Sequence, residues 1–258
     1  MEMSVDDFRS QYELEFVEDS ANFFTKEHID NFISGEHMWE TYGNFEDKYV
    51  AGIDFGSGAK GADSTVITVI KINNKINEVV FLAEFTGLNY VEQVKEIIKM
   101  FSNTNNRPRF ICKHILCDQT GVGKSIVDFL QKDKKITNLQ GIMFNGKDII
   151  TNTRGFNNKT SLYKSLLIEL ENNRLKFPKY NNFISSAGKN NQIIWHRLMS
   201  QMNDLIIVNN ANSINPKIYG NDKDDYCDSL ALANAAALLY KKQGQRRMPA
   251  GITYRSSR

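Results

Sequence analysis

Apolar, mostly β-branched residues dominate three short stretches near the middle of the chain, at residues 49–55, 64–72 and 78–85. Glycines follow the first stretch, and Asn73, Asn74 and Lys75 follow the second. Apolar runs of this length, bounded by turn-forming residues, are typical of buried strands. Because the connections between them are short, the pattern predicts an antiparallel meander of three strands.

Helical and strand-like patterns alternate through the rest of the chain. Residues 90–101, for example, place Val94, Ile97 and Phe101 on one helical face. Helices are predicted over residues 90–101, 124–131, 160–172, 190–203 and 224–240, strands over residues 109–117, 139–144 and 205–208, a short edge element over residues 175–178, and a polar loop over residues 209–223. This order predicts an α/β fold with a mixed central sheet flanked by helices.

Length and composition are those of an ordinary globular protein, with 258 residues, of which 41% are apolar and 24% charged. No apolar run approaches the roughly 18–20 residues of a membrane-spanning helix, and the first ten residues do not resemble a signal peptide. No membrane partner is therefore expected. The three cysteines lack CxxC spacing, which predicts free thiols in a reducing compartment.

Charge is distributed unevenly along the chain, although the net charge is only +2. Residues 1–48 contain 13 acids and 3 Lys or Arg, whereas the remaining residues contain 17 acids and 29 Lys or Arg. An acidic linker or edge segment is therefore predicted at residues 1–48, a basic domain at residues 49–241, and a basic, flexible tail at residues 242–258. Such a domain is suited to a polyanionic partner, and double-stranded DNA is one.

Acidic residues stand at comparable places in three of the predicted elements. Asp54 lies on the first strand, Asp118 ends the strand at residues 109–117, and Asp224, Asp225 and Asp228 open the final helix. The first and fourth strands of a mixed sheet can be neighbours, so these acids are expected to converge. Converging carboxylates repel one another unless cations join them, and hard oxygen ligands select Mg²⁺ or Mn²⁺. Two such ions would activate a water and stabilise the leaving oxygen of a phosphodiester.

Each acidic group also has a structural interpretation. Asp54 is equally consistent with an acid that faces water at a strand end. The last cluster is consistent with helix capping, because acids near a helix N-terminus interact favourably with its dipole. Asp225 and Asp228 are three residues apart and share about one face of the helix, so only one of them need be a ligand.

The segment GVGKS, residues 121–125, resembles the end of a phosphate-binding P-loop. The leading glycine of GxxxxGK[ST] would fall at position 118, which is Asp118, so the motif is incomplete. We interpret the glycines as a turn that lets the backbone approach the site. Lys124 is a candidate phosphate contact at the start of the following helix, and a solvated lysine is the alternative.

Several segments together resemble a known family. They are AGIDFGSG with the following DSTVITVI, HILCDQTGVGKSIVDFL, DDYCDSLALANAAALLY and, near the N-terminus, FRSQYELEFVEDSANFF. In order and context they are similar to the C-terminal nuclease domain of the large terminase subunit of tailed bacteriophages, which has an RNase H-like fold. The resemblance covers nearly the whole chain, although no single motif is decisive.

The resemblance implies an endonuclease that uses two Mg²⁺ or Mn²⁺ ions to cut concatemeric viral DNA during genome packaging in the host cytoplasm. By the same likeness Asp54, Asp118 and Asp225 are the metal-binding and catalytic triad, with Asp228 or Asp224 as an auxiliary acid. The implied partners are the terminase ATPase motor, the small terminase subunit and the portal. The Walker motifs of the ATPase are absent from this sequence, so translocation is not expected of it.

Basic residues in the loop before the helix at residues 160–172 are candidates for DNA-backbone contacts. They are Lys147, Arg154 and Lys159, and each could instead be a solvated side chain. Contacts to phosphates carry no sequence information directly. Weak preference among DNA sequences is therefore predicted.

Three other functions fit parts of the sequence. GIDFGSG also resembles the first phosphate loop of actin-like kinases and ATPases, although 258 residues leave little room for their duplicated subdomains. Junction resolvases and other RNase H-like nucleases share the expected chemistry and would differ in their preference for branched DNA. A non-catalytic DNA-binding module would bind DNA without needing Asp54.

Overall fold

The structure is a computed structural model that describes residues 20–56, 64–102, 107–120, 123–132, 136–187, 191–210 and 213–246. Gly58, Gly61, Gly121, residues 1–19 of the acidic segment and the tail after residue 246 lie outside the described residues. The strands are β1 Ser20–Asn22, β2 Tyr49–Asp54, β3 Thr65–Lys71, β4 Asn77–Phe85, β5 Cys112–Asp118, β6 Leu139–Ile142, β7 Leu175–Lys176, β8 Leu205–Asn210 and β9 Ser213–Gly220. The helices are α1 Lys26–Phe32, α2 Tyr90–Phe101, α3 Gly123–Lys132, α4 Asn158–Glu171, α5 Tyr180–Ala187, α6 Asn191–Asp204 and α7 Asp225–Arg246.

Six strands form the central sheet in the order β6-β5-β2-β3-β4-β7. Strands β2, β3 and β4 pair in antiparallel fashion, which confirms the predicted meander. Strand β5 pairs in parallel with β2, and β6 and β7 pair in parallel with β5 and β4. The sheet is therefore mixed, as predicted, and the first and fourth strands of the predicted order are neighbours at its centre.

The last helix, α7, packs directly against the centre of this sheet because Gly52 lets it approach. A Cβ atom added at Gly52 would lie 2.2 Å from the Ser229 carbonyl oxygen and 2.3 Å from the Ala233 nitrogen. The Ser229 hydroxyl donates to the Gly52 carbonyl at 3.2 Å and to Thr68 Oγ1 at 2.9 Å. The alanines of α7 are buried and small enough for this close contact. The first turn of α7 is thereby fixed beside the end of β2.

A second sheet, in the order β1-β8-β9, lies outside the sequence-based expectation. The prediction of a polar loop over residues 209–223 was wrong, since β9 pairs antiparallel with β8 from residue 213 to residue 220. Pro216 and Gly220 make this stretch resemble a loop. Proline is tolerated here because β9 is an edge strand, whose outer backbone groups need no partner within the sheet.

The residues that precede β2 pack into the core. Phe23, Phe24, Phe32 and Trp39 are all buried in it. At the other end, α7 continues to Arg246 and Lys242 donates to the Ile150 carbonyl at 2.6 Å, so the first residues of the predicted tail are helical. The domain limits at residues 48 and 241 remain predictions. Within the described residues, no helix is long and apolar enough to cross a membrane.

Candidate active site

Two of the predicted site residues end neighbouring central strands. Asp54 is the last residue of β2, and Asp118 is the last residue of β5. The two strands run in parallel with Ile53 opposite Cys117, so both acids lie at the same edge of the sheet. Both side chains are partly exposed. Because Asp54 is two residues beyond Gly52, it faces the same side of the sheet as α7.

Helix α7 brings the remaining acids to this edge. Asp225 and Asp228 lie in its first turn and are buried, with 5% and 4% exposure, and Asp224 immediately precedes the helix. Burial raises the pKa of the Asp54 carboxyl, and the negative charges of Asp228, Asp225, Asp118 and Asp224 raise it further, in that order of effect. The structure therefore brings all the predicted acids within electrostatic reach of Asp54.

Asp118 is oriented by the turn that follows it. Its Oδ1 accepts hydrogen bonds from the Thr120 backbone nitrogen at 2.9 Å and from the Thr120 hydroxyl at 2.6 Å. Burial raises the pKa of the Asp118 carboxyl, while these bonds and the charge of Lys159 oppose the rise. A Cβ at Gly123 would lie 2.4 Å from the Asp118 carbonyl oxygen, so only glycine lets α3 begin this close to the acid.

Asp228 lies in a network that the sequence did not predict. Its Oδ1 accepts a 2.5 Å hydrogen bond from the Tyr163 hydroxyl, and its Oδ2 lies 3.3 Å from the Lys159 Nζ. The same Nζ lies 2.9 Å from Asp224 Oδ2. Burial raises the pKa of Asp228 to about 7, although Lys159 opposes the rise. Burial lowers the pKa of Lys159, but Asp228 and Asp224 outweigh it and raise the value overall.

The candidate DNA contacts fall into two environments. Lys124, in the first turn of α3, and Lys147 and Arg154, in the loop before α4, are exposed. The buried Asp148 organises that loop by accepting hydrogen bonds from the backbone nitrogens of Ile150, Thr151 and Thr153. Lys159 is partly buried instead and is held by the two carboxylates of the site.

Solved structures similar to this one include phage large terminases and their nuclease domains. The large terminase nuclease from thermophilic phage G20c with bound magnesium matches with a TM-score of 0.55 and 19% identity, over 81% of this chain and 94% of that chain. A mutant nuclease domain of the large terminase subunit gp2 of bacterial virus Sf6, with manganese and beta-thujaplicinol, matches with a TM-score of 0.54 and 14% identity, over 83% and 98%. The large terminase of thermophilic bacteriophage D6E matches with a TM-score of 0.52 and 12% identity, over 84% of this chain and 45% of that one. The chain has the fold of a phage terminase nuclease.

This terminase-nuclease fold confirms the resemblance and the RNase H-like architecture expected from the sequence. No protein-family model matches the chain, and no curated protein matches its sequence. The likeness is therefore one of three-dimensional structure, since sequence identity to the similar structures is low.

The described residues contain no group of three or more His, Cys, Asp or Glu side chains already placed to hold a metal ion. The side chains near Asp54 are nonetheless carboxylates, whose hard oxygens are the ligands that Mg²⁺ and Mn²⁺ prefer. Protein donors hold the other acids, for example Thr120 on Asp118 and the Ser64 backbone nitrogen on Asp225 Oδ2 at 3.0 Å. Asp54 differs, because no donor in the described residues binds its carboxylate. An anion without a donor among other anions is stabilised by a cation, and its oxygen ligands suit Mg²⁺ or Mn²⁺.

A cleft of about 390 Å³ opens beside Asp225. Its lining includes Ser64, Glu84, Arg197 and Tyr226. Sequence patterns gave no signal for these residues, because Ser64 and Glu84 occur in ordinary strand-like stretches and Arg197 in an ordinary helical one. Of the predicted site acids, Asp225 is the one that lines this cleft.

Proposed function

We propose that this chain is a metal-dependent endodeoxyribonuclease that cuts concatemeric viral DNA during genome packaging. One observation carries the proposal. The Asp54 carboxylate, at the end of the central strand, faces the first turn of α7 and is repelled by Asp118, Asp225 and Asp228 without a compensating donor in the described residues. The likeness to terminase nuclease domains supports the nuclease function over other uses of clustered acids.

The proposed metal ligands are the acids that converge on Asp54. Asp54 would contact both of two Mg²⁺ or Mn²⁺ ions, Asp118 would hold one and Asp225 the other, with Asp228 as an auxiliary ligand. Bound there, the ions would lower the pKa of a water molecule that attacks the phosphodiester and would stabilise the leaving oxygen. Similar structures solved with magnesium and with manganese support the choice of metal.

Residues around the acids would prepare the site for a phosphate. Thr120 fixes the orientation of Asp118, and Tyr163 and Lys159 do the same for Asp228. Lys159 also offsets part of the negative charge that would repel DNA, and it would contact a phosphate that enters the site.

Exposed basic residues would hold the DNA outside the acid cluster. Lys124, Lys147 and Arg154 have side chains free to reach backbone phosphates from the surface, and such contacts would hold DNA of any sequence. We therefore propose weak sequence preference for the isolated chain.

The biological setting follows from the same likeness. The similar D6E protein is a large terminase, and the match covers 45% of that chain. We propose that the nuclease acts with a terminase ATPase motor, a small terminase subunit and a portal in the host cytoplasm. These partners would bring DNA to the site, so the isolated chain is expected to cut slowly.

Digestion of supercoiled plasmid tests the proposed activity. The wild-type chain, Asp54→Ala and the control Asp128→Asn, which changes an exposed acid on α3, are incubated with Mn²⁺, Mg²⁺ or EDTA. Wild type and Asp128→Asn are expected to nick and linearise the plasmid only with metal. Asp54→Ala is expected to lose at least about 100-fold in rate, because a ligand shared by both ions is removed.

Other outcomes point to the other functions. ATP hydrolysis without plasmid cutting would indicate an actin-like enzyme, and equal DNA binding by wild type and Asp54→Ala without cutting would indicate a binding module. Strong preference for a four-way junction over linear duplex would indicate a resolvase.

A further inference from the structure

A chain of polar contacts leads from Asp225 away from the proposed metal site. The Ser64 backbone nitrogen donates to Asp225 Oδ2 at 3.0 Å, and the Ser64 hydroxyl donates to Glu84 Oε1 at 2.8 Å. The other oxygen of Glu84, Oε2, is paired with the Arg197 guanidinium. We call these three residues, Ser64, Glu84 and Arg197, the Glu84 network. It joins the residue before β3, together with β4 and α6, to the first turn of α7.

The position of Glu84 in the sheet places it near the acid cluster. Asp54 is opposite Val66 on β3, and Val66 is opposite Glu84 on β4. Directly opposed residues of antiparallel strands project from the same face, so Glu84 lies in the same row as Asp54 on the face that α7 covers. Glu84 is therefore two strands from Asp54. This is too far for Glu84 to bind a metal together with Asp54, but close enough to support Asp225 through Ser64.

Helix α6, which also lines the cleft, contacts the start of α7 as well. Besides Arg197, it provides Gln201, whose Oε1 accepts a 2.8 Å hydrogen bond from the Tyr226 backbone nitrogen. Tyr226 is adjacent to Asp225, and the charges of Glu84 and Arg197 both act on its hydroxyl. The start of α7 is thus held by two residues of α6 as well as by Ser64.

The Glu84 side chain is mostly buried, with 11% exposure, whereas Arg197 is 49% exposed. A mostly buried carboxylate needs hydrogen bonds and a counter-charge to remain ionised without a large cost. Arg197 provides the charge and Ser64 the hydrogen bond. Ser64 is consequently fixed by its side chain while its backbone N–H points to Asp225.

We propose that Ser64, Glu84 and Arg197 are positioning residues that set the orientation of the Asp225 carboxylate for metal binding. The inference rests on the proposed function, since it assigns to Asp225 a metal-binding role. Residues that hydrogen-bond to metal ligands typically change metal affinity or activity by about 10–100-fold when they are removed. The Glu84 network is expected to act in that range without contacting metal or DNA itself.

Mn²⁺ affinity of the purified chain, measured by electron paramagnetic resonance, tests this role without relying on activity. Glu84→Gln removes the counter-charge pair, and Ser64→Ala removes the hydroxyl contact but keeps the backbone N–H. Each is expected to weaken Mn²⁺ binding by about 10-fold. Because both act through Ser64, the double variant is expected to lose little more than the weaker-binding single variant.

Glu169→Gln is the matched control. Glu169 is 9% exposed and pairs with Arg174, whose side chain is 32% exposed, on the part of α4 remote from the acids. Glu169→Gln removes an acid–arginine pair similar to that of Glu84 and Arg197. The unfolding temperature of Glu169→Gln should therefore fall about as much as that of Glu84→Gln, while its Mn²⁺ affinity stays at the wild-type value. Equal Mn²⁺ affinity in wild type, Glu84→Gln and Ser64→Ala would overturn the inference, as would an equal loss in Glu169→Gln.

Different results would contradict the proposed function and the positioning role of the Glu84 network. If wild type neither binds Mn²⁺ nor cuts plasmid, the proposed function is wrong. If wild type binds Mn²⁺ and cuts plasmid but the Glu84 network variants behave like Glu169→Gln, only the positioning role is wrong.

Discussion

At the scale of single residues, the site holds several negatively charged side chains close together. Asp54 has no compensating donor in the described residues, whereas Asp228 is held by Tyr163 and Lys159. Burial and neighbouring acids raise the pKa of Asp54, and burial raises that of Asp228 to about 7. Without metal, the ionised site therefore opposes folding near neutral pH.

This clustering of acids predicts how stability depends on pH. An unperturbed aspartate has a pKa of about 3.9. Because the folded-state values are higher, the stability that these groups contribute is present below about pH 4 and is lost as the pH rises through the folded pKa, about 7 for Asp228. In EDTA, the unfolding temperature of Asp54→Asn relative to wild type should therefore be several degrees higher at pH 8 than at pH 4, at ~2–4 °C per kcal/mol.

Scanning calorimetry at both pH values, with EDTA and with Mn²⁺, makes the measurement. Mn²⁺ is expected to stabilise wild type more than Asp54→Asn at the higher pH, since only wild type keeps all of the proposed ligands. Asp128→Asn, which changes an exposed acid on α3, is the matched control. A pH-independent difference between Asp54→Asn and wild type would count against the electrostatic account.

At the scale of secondary-structure elements, the site depends on how closely α7 approaches β2. Gly52 has no side chain, and Ser229 hydrogen-bonds across the contact. The register of this contact determines where Asp225 and Asp228 lie relative to Asp54. Packing between two elements thus converts two separate acidic segments into one cluster.

Gly52→Ala is expected to disturb this packing. Its Cβ would meet backbone atoms of α7 at 2.2 and 2.3 Å, so the helix or the strand must shift. Forcing an extra methyl group into a packed core typically costs about 1–3 kcal/mol. Chemical denaturation should show this loss, and Mn²⁺ affinity should fall with it because the acids move apart.

Gly244→Ala serves as the control for that substitution. Gly244 is also in α7, and a Cβ there would meet nothing within 4 Å. Alanine favours a helix by roughly 0.5–1 kcal/mol over glycine, so this variant should be neutral or slightly more stable. Wild-type stability and Mn²⁺ affinity in Gly52→Ala would show that the close approach does not determine the site.

Sequence patterns predicted much of this arrangement at the level of elements. Alternating apolar runs and short connections were enough for the meander and for the neighbouring positions of Asp54 and Asp118. Strand β9 was missed because an exposed edge strand containing Pro216 has the composition of a loop. Strand β1 and helix α5 were not predicted either, and α7 ends at Arg246 instead of residue 240. The ends of the other predicted helices and strands agree to within a few residues.

The contacts that orient the acids were not predictable in the same way. Lys159 and Tyr163 meet Asp228 across 69 and 65 residues, and Ser64 meets Asp225 across 161. Such contacts leave no periodic pattern in the sequence, since each depends on the packing of separate elements. Lys159 was predicted as a DNA contact from its charge and loop position, and nothing in the sequence indicated its two carboxylate partners.

At the scale of the whole molecule, the terminase-nuclease fold places the acids at one edge of the sheet, beside an accessible cleft. Basic residues exceed acids after residue 48, and exposed bases occur on α3 and in the loop before α4. This distribution of basic residues favours a polyanionic substrate. The acid cluster would repel such a substrate unless cations bind between them.

Anomalous diffraction from a crystal soaked in Mn²⁺ tests the central claim most directly. Manganese peaks are expected at the end of β2, in contact with Asp54 and with at least one acid each from β5 and α7. They should be absent from Asp54→Ala crystals treated identically. A wild-type crystal soaked to saturation with Mn²⁺ that shows no manganese peak at Asp54 would contradict the assignment of a metal-dependent nuclease site. Peaks only at other surface acids would contradict it equally.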